Sequence, residues 1–138
     1  MYLLDTNIWL ERLLDQERSD EVGQFLDRVP PVQVFITDFA FHSIGVVLSK
    51  LNRMEVLLRF VQDTFIDGGI VLVHLGPADM AELVRLAAQF GLDFDDAYQY
   101  SAAAKHNLTL DVSFDGDFDR TARGRKTPAE ILEAAGQL

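Results

Sequence analysis

Hydrophobic positions along this chain follow two spacings. Short runs rich in apolar residues (MYLL at 1–4, VFIT at 34–37, IVLVH at 70–74, LTLDV at 108–112) alternate with longer stretches in which apolar side chains recur every three or four positions. The short runs predict strands, and the longer stretches predict amphipathic helices. TNIWLERLL predicts a first helix, with Trp9 as a core position. A second helix is predicted from Ser19, whose hydroxyl suits a cap, with Asp20 and Glu21 in the first turn. Its Val22, Phe25, Leu26 and Val29 share one face, and Pro30-Pro31 ends it.

Two further helices are predicted over about 38–50 and 53–64, and Asp67-Gly68-Gly69 turns the chain into the third strand. Gly76-Pro77 opens the next helix with proline in its first turn, and Gly91 closes it. A helix over about 93–106 stops at Asn107, and Thr127-Pro128-Ala129-Glu130 is a capping box for the last one. Strands alternating with helices give the fold class α/β with a mainly parallel sheet. Ligands of such sheets bind in the crevice outside the carboxyl ends of the strands.

The length of 138 residues predicts one domain spanning 1–138, large enough to fold around a core. With no cysteine there is neither a disulfide framework nor a thiolate metal site. Residues 1–30 lack the basic and apolar regions of a signal peptide, and the run Phe39 to Ser49 is too short to span a bilayer. The expectation is a cytoplasmic protein without a membrane partner.

Charge changes the picture more. A formal charge of −10 repels nucleic acid unless the negative charge is concentrated where cations bind. LDVSFDGDFDR, residues 110–120, carries Asp111, Asp115, Asp117 and Asp119 in one short stretch. Arg120, Arg123, Arg125 and Lys126 follow directly; they are either a solvated turn or a contact for phosphate.

Asp5 directly follows the first strand, Asp115 and Asp117 follow the fourth, and Asp93, Asp95 and Asp96 open the helix that leads into it. Three separate segments therefore aim acids at one sheet rim. Each acid alone has a plainer explanation. Asp5 can cap the first helix, Asp38 the helix after the second strand, and Asp93 and Asp96 suit a helix N-terminus. Asp95 is expected in solvent and Asp119 exposed or paired with an arginine. What those explanations leave over is the coincidence, because gathered carboxylates repel unless a proton or a cation intervenes. An oxygen-only set with Asn7 nearby suits Mg²⁺ or Mn²⁺ rather than zinc. A calcium EF-hand starting at Asp115 fails, with Arg120 in its glycine position and Lys126 in its glutamate position.

YLLDTNIW, GLDFDDAYQYSAAA and VSFDGDF, in this order, resemble the PIN domain, the family that includes the VapC-type toxins of bacterial toxin–antitoxin systems. The resemblance implies a three-layer domain with a central sheet of four to five strands flanked by helices. It implies a metal-dependent ribonuclease, with Asp5, Asp96 and Asp115 as catalytic metal ligands and Asp117 as an auxiliary one. Asn7 and Ser113 take neighbouring places that orient the ligands. The glutamate usual one turn into the helix after the second strand is missing, and His42 or Ser43 takes its slot. Homodimerisation and a small antitoxin partner are further implications. Arg120, Arg123, Arg125 and Lys126 would hold the RNA backbone.

Two other classes compete. A degenerate domain of this kind would bind RNA or a protein without cleaving it, and the missing glutamate favours it. Phosphoryl transfer fits less well. A phosphatase of the aspartate type wants Asp-x-Asp where this chain has Asp5-Thr6-Asn7, and a receiver wants an aspartate where the third strand ends in His74.

Overall fold

The computed structural model describes residues 1–108 and 110–136. Four strands, β1 (Tyr2–Leu4), β2 (Val34–Thr37), β3 (Val71–Val73) and β4 (Leu110–Val112), form one sheet in the order β3-β2-β1-β4. All three pairings are parallel, and Leu3 stands opposite both Phe35 and Asp111. Thr109 of the LTLDV run lies outside the described residues. Beyond β4, Val112 makes an isolated parallel bridge to Lys126, a single rung in the place of a fifth strand.

Among the described residues, seven α-helices cover the sheet: α1 (Thr6–Leu13), α2 (Ser19–Arg28), α3 (Asp38–Lys50), α4 (Met54–Val61), α5 (Met80–Phe90), α6 (Phe94–Lys105) and α7 (Pro128–Gly136). Alternation along the strands divides the core in two. Leu3 faces the layer of α5 and α6 with Leu83, Leu86, Tyr100 and Phe118. Leu4, Val34, Ile36 and Val112 face the other layer, with Ile8, Phe25, Ile44 and Phe60. Burial of strands on both sides is the expected consequence of parallel crossovers. Trp9 is buried in this second core, as its helical phase predicts, against Phe60 at 5.4 Å between ring centroids.

Helix ends follow the predicted chemistry in most places. Gly91 (φ 65°) and Asn107 (φ 51°) adopt left-handed conformations just after α5 and α6. Thr127 and Glu130 exchange hydrogen bonds at the start of α7, the Glu130 carboxylate accepting from the Thr127 amide at 3.1 Å. Two caps differ from expectation. Arg18, not Ser19, precedes α2, and Ser19 is buried because its hydroxyl accepts from the Arg12 guanidinium at 3.1 Å. Thr37 caps α3 by accepting from the Ala40 amide at 2.9 Å. Asp38 is left free to accept from the Tyr98 hydroxyl at 2.7 Å. The stretch 53–64 also divides: α4 ends at Val61 and continues as a π-helical turn, Gln62–Ile66. Gly76-Pro77 opens a 3₁₀ turn, Pro77–Asp79, before α5 begins.

Candidate active site

The parallel sheet delivers Asp5 and the Ser113–Asp117 segment to the same rim. β1 and β4 are neighbours, and the Asp5 amide donates to the Val112 carbonyl at 2.9 Å, so the two strand ends are locked side by side. Asp5 caps α1: one carboxylate oxygen accepts from the Thr6 amide at 2.8 Å. The other accepts from the Ser113 hydroxyl at 2.9 Å and from the Asn7 side-chain amide at 3.4 Å. The capping explanation and the site explanation for Asp5 are thus both satisfied by one carboxylate.

Ser113 is a junction. Its hydroxyl, wholly buried, accepts from the Asp115 amide at 2.9 Å and from Asn7 Nδ2 at 3.2 Å while donating to Asp5. The Asn7 side-chain carbonyl in turn accepts from the Phe114 amide at 3.2 Å. Asp115 then caps a 3₁₀ turn, Gly116–Arg120, by accepting from the Asp117 amide at 2.9 Å. These bonds fix the acidic loop relative to α1.

Asp96 arrives from the first turn of α6, where its amide donates to the Asp93 carboxylate at 3.0 Å. One oxygen each from Asp96, Asp115 and Asp117 lies within 4.8 Å of the others, a spacing able to hold a metal ion. Asp5, Asp95, Asp96 and Ser43 line a common cleft of roughly 260 Å³. Asp95, expected in solvent, is exposed but faces this cleft. Of the two residues left open for the glutamate slot, Ser43 lines the cleft. His42 faces a separate groove with Phe41, Val46 and Met54.

Crowding has an electrostatic signature. Burial, with Asp115, Asp93, Asp5 and Asp117 adding repulsion, pushes the Asp96 carboxyl up to about 7. Burial also raises Asp5, while bonds from Ser113 and Thr6 oppose the rise and Asp115 and Asp95 add to it. A cation relieves this repulsion, and an all-carboxylate donor set is hard, so the residues present fit a divalent ion of the Mg²⁺ or Mn²⁺ class.

The basic segment is held differently from a free phosphate patch. Arg125 donates to the Asp119 carboxylate at 3.0 and 3.3 Å and to the Ser113 carbonyl at 3.2 Å. Arg120 donates to the Gly91 carbonyl at 2.7 Å and lies 3.9 Å from Asp117. Lys126 stands 4.0 Å from Glu130, and its backbone pairs with Asp111 and Ser113. Arg123 leaves its Nε buried without an acceptor.

Two features escape sequence reasoning. Gln99 lines the cleft with its side-chain nitrogen buried and unpartnered. Asp111 is 1% exposed, with neither carboxylate oxygen hydrogen-bonded among the described residues. Its only signal was its place between Leu110 and Val112 in a strand destined to be buried on both faces.

The same architecture occurs in solved structures. VapC20 of Mycobacterium tuberculosis, a sarcin-ricin loop cleaving toxin, aligns with a TM-score of 0.73 at 16% identity over 91% of this chain and 97% of its own. A toxin–antitoxin complex from Klebsiella pneumoniae aligns with a TM-score of 0.73 at 24% identity, covering 95% and 100%. FitAcB from Neisseria gonorrhoeae gives 0.71 at 23% identity, covering 93% and 98%. No curated protein matches at the level of sequence. Among the described residues, no helix is long and apolar enough to cross a membrane. Residues 2–124 match the family model of the PIN domain, and the chain belongs to that family.

Proposed function

We propose that this protein is a metal-dependent endoribonuclease, the toxin of a toxin–antitoxin pair, working through Asp5, Asp96, Asp115 and Asp117. The observation that carries the reading is the meeting of Asp96, Asp115 and Asp117 oxygens within 4.8 Å, beside a cleft shared by Asp5 and Asp96. Family membership and the toxin structures that share the fold support it.

Asp96, Asp115 and Asp117 would hold Mg²⁺ or Mn²⁺, with Asp5 completing the acidic wall. A divalent ion bound there would lower the pKa of water and offset charge on the phosphate. The chain's own part is positioning. The Ser113 hydroxyl and Asn7 amide hold Asp5 in one rotamer, and Ser113 holds the amide of Asp115. α6 presents Asp96 from a helix first turn, where the backbone cannot swing away. Arg120, beside Asp117 and exposed, is the basic residue best placed to meet an RNA phosphate. Arg123, Arg125 and Lys126 are assigned a supporting part in the loop that carries it.

A second reading keeps the fold and drops the cleavage. Ser43 in the place of the usual glutamate leaves the cleft one charge short, which favours a domain that binds RNA or a protein partner without cutting it. An antitoxin would dock on either kind of domain. A second copy of the chain would suit the exposed Val46 and Met54, which line the groove of His42.

Purified protein incubated with a mixed RNA pool, tRNA included, separates the readings. Cleavage in Mn²⁺ or Mg²⁺ that is absent in EDTA and in Asp96→Asn establishes the nuclease. Identical RNA profiles for the two proteins in all conditions refute it and leave the binding domain.

A further inference from the structure

A second cleft, on the layer of the sheet opposite α5 and α6, has the opposite polarity. It lies between α1, α2 and α4, has a volume of roughly 320 Å³, and is bordered by Trp9, Arg12, Arg53, Arg59, Asp63 and Thr64. Three guanidinium groups, one from α1 and two from α4 and its N-cap, thus meet one carboxylate, in a chain whose formal charge is −10. An adjoining cavity shares Trp9, Arg12, Asp63 and Thr64 with it.

The cations there are poorly compensated. Arg59 is exposed and makes no ion pair or side-chain hydrogen bond among the described residues. Arg53 approaches only Glu55, at 3.8 Å. Arg12 uses one terminal nitrogen on the carbonyl and hydroxyl of Ser19, at 3.4 and 3.1 Å, and no carboxylate. Its guanidinium rests against Gly23, where a Cβ would come within 2.8 Å of Arg12 Cζ. The glycine therefore admits the group between the helices and fixes its plane.

The fourth feature is independent of charge. Trp9 is 2% exposed, and its Nε1–H is buried with no acceptor among the described residues. A buried donor of this kind ordinarily finds a partner. Trp9 borders both cavities, and because its Nε1 is out of reach of solvent the indole reports on the cleft without contacting what fills it.

We propose that this cleft is a phosphate-binding site, separate from the acidic cleft, in which Arg12, Arg53 and Arg59 hold the oxyanion and Trp9 forms part of the wall. Guanidinium forks pair with phosphate oxygens bidentately. Three guanidinium forks suit a tetrahedral anion with several free oxygens better than a planar carboxylate, which two forks saturate. The volume is about ten times the roughly 30 Å³ share of one water, room for a phosphate or diphosphate with some of its hydration.

Trp9 is the single tryptophan of the chain, so its indole N–H gives one resonance and its fluorescence one source. Inorganic phosphate and pyrophosphate are titrated into the full chain in EDTA, at ionic strength held constant with chloride. A saturable shift of the indole resonance is expected, with affinity about tenfold lower in Arg59→Gln and in Arg12→Gln, and unchanged in Asp96→Asn. Arg59 is on the surface, so its variant folds, and its other resonances provide the check. A shift that never saturates, or one equal in Arg59→Gln, overturns the site. Saturation by a glutamate-rich peptide but not by phosphate overturns the assigned ligand.

Discussion

The Ser113 hydroxyl donates to the Asp5 carboxylate at 2.9 Å, joining two residues 108 positions apart at the ends of neighbouring strands. That bond favours the ionised form of a carboxyl that burial pushes toward the neutral one. It also sets the loop, because the same oxygen accepts from the Asp115 amide.

Removing the hydroxyl should therefore weaken metal binding without removing a ligand. Ser113→Ala is expected to reduce Mn²⁺ affinity about 10–100-fold, the usual range for a residue that orients a ligand. Ser113→Thr, which keeps the hydroxyl, should restore most of it. Calorimetric titration of Mn²⁺ checks both, and an alanine variant with native affinity would remove Ser113 from the site.

Asp96→Asn should stabilise the fold in EDTA while abolishing stabilisation by Mn²⁺. The carboxyl faces Asp115, Asp93, Asp5 and Asp117, and its neutral replacement relieves that repulsion. A gain of about 1 kcal/mol in a chain of this size is a rise in Tm of roughly 2–4 °C or slightly more. Thermal unfolding of both proteins, with and without Mn²⁺, gives the comparison. A variant less stable than the parent in EDTA contradicts the crowding argument.

Ser43 and His42 are adjacent in sequence but open onto different clefts. Ser43→Glu places a fourth carboxylate in the cleft lined by Asp5, Asp95 and Asp96. It should tighten Mg²⁺ and Mn²⁺ binding by about tenfold, roughly 1.4 kcal/mol, and lower Tm in EDTA. His42→Glu should leave metal affinity unchanged. Equal responses from the two would mean that the glutamate slot is not where α3 puts it.

Much of this arrangement is legible from spacing alone. Asp5 directly after the first strand, Asp96 three positions past the Asp93 cap and Asp115 three positions past β4 follow from element boundaries, and boundaries follow from periodicity. Features decided by a distant side chain are not. Ser19 resembles a cap until Arg12, from the previous helix, takes its hydroxyl. Asp38 gives the cap to Thr37 because Tyr98, sixty positions away, holds its carboxylate. The choice between His42 and Ser43 needed the first residue of α3, and one residue turns a helix by about 100°. Asp119, read from the sequence as exposed or paired with an arginine, does pair with Arg125, but nothing in the sequence shows that the Gly91 and Ser113 carbonyls also accept from the run Arg120–Lys126.

Asp111 carries the last prediction. Burial raises its carboxyl to about 8, the Arg123 cation opposing and the Asp5 charge assisting. Its ordinary value is 3.8, so between about pH 4 and 8 the folded chain holds a proton there that the unfolded chain has released. Stability then falls as pH rises through that window, and the contribution is fully present only below it. Asparagine at 111 cannot ionise, so Asp111→Asn should lose that slope. Compared in EDTA, the two proteins should differ least near pH 4, and the variant should gain on the parent up to pH 8 and above. Linkage sets the scale of that gain at several kcal/mol, roughly 1.4 for each unit between the ordinary value and the raised one. Arg123→Gln removes the opposing cation and should carry the decline to higher pH. Because Asp5 and Asp96 add slopes of the same sign, the difference between parent and Asp111→Asn is the quantity to read from urea unfolding at each pH. A difference independent of pH would mean that Asp111 keeps its charge in the folded chain, with Arg123 as its true partner.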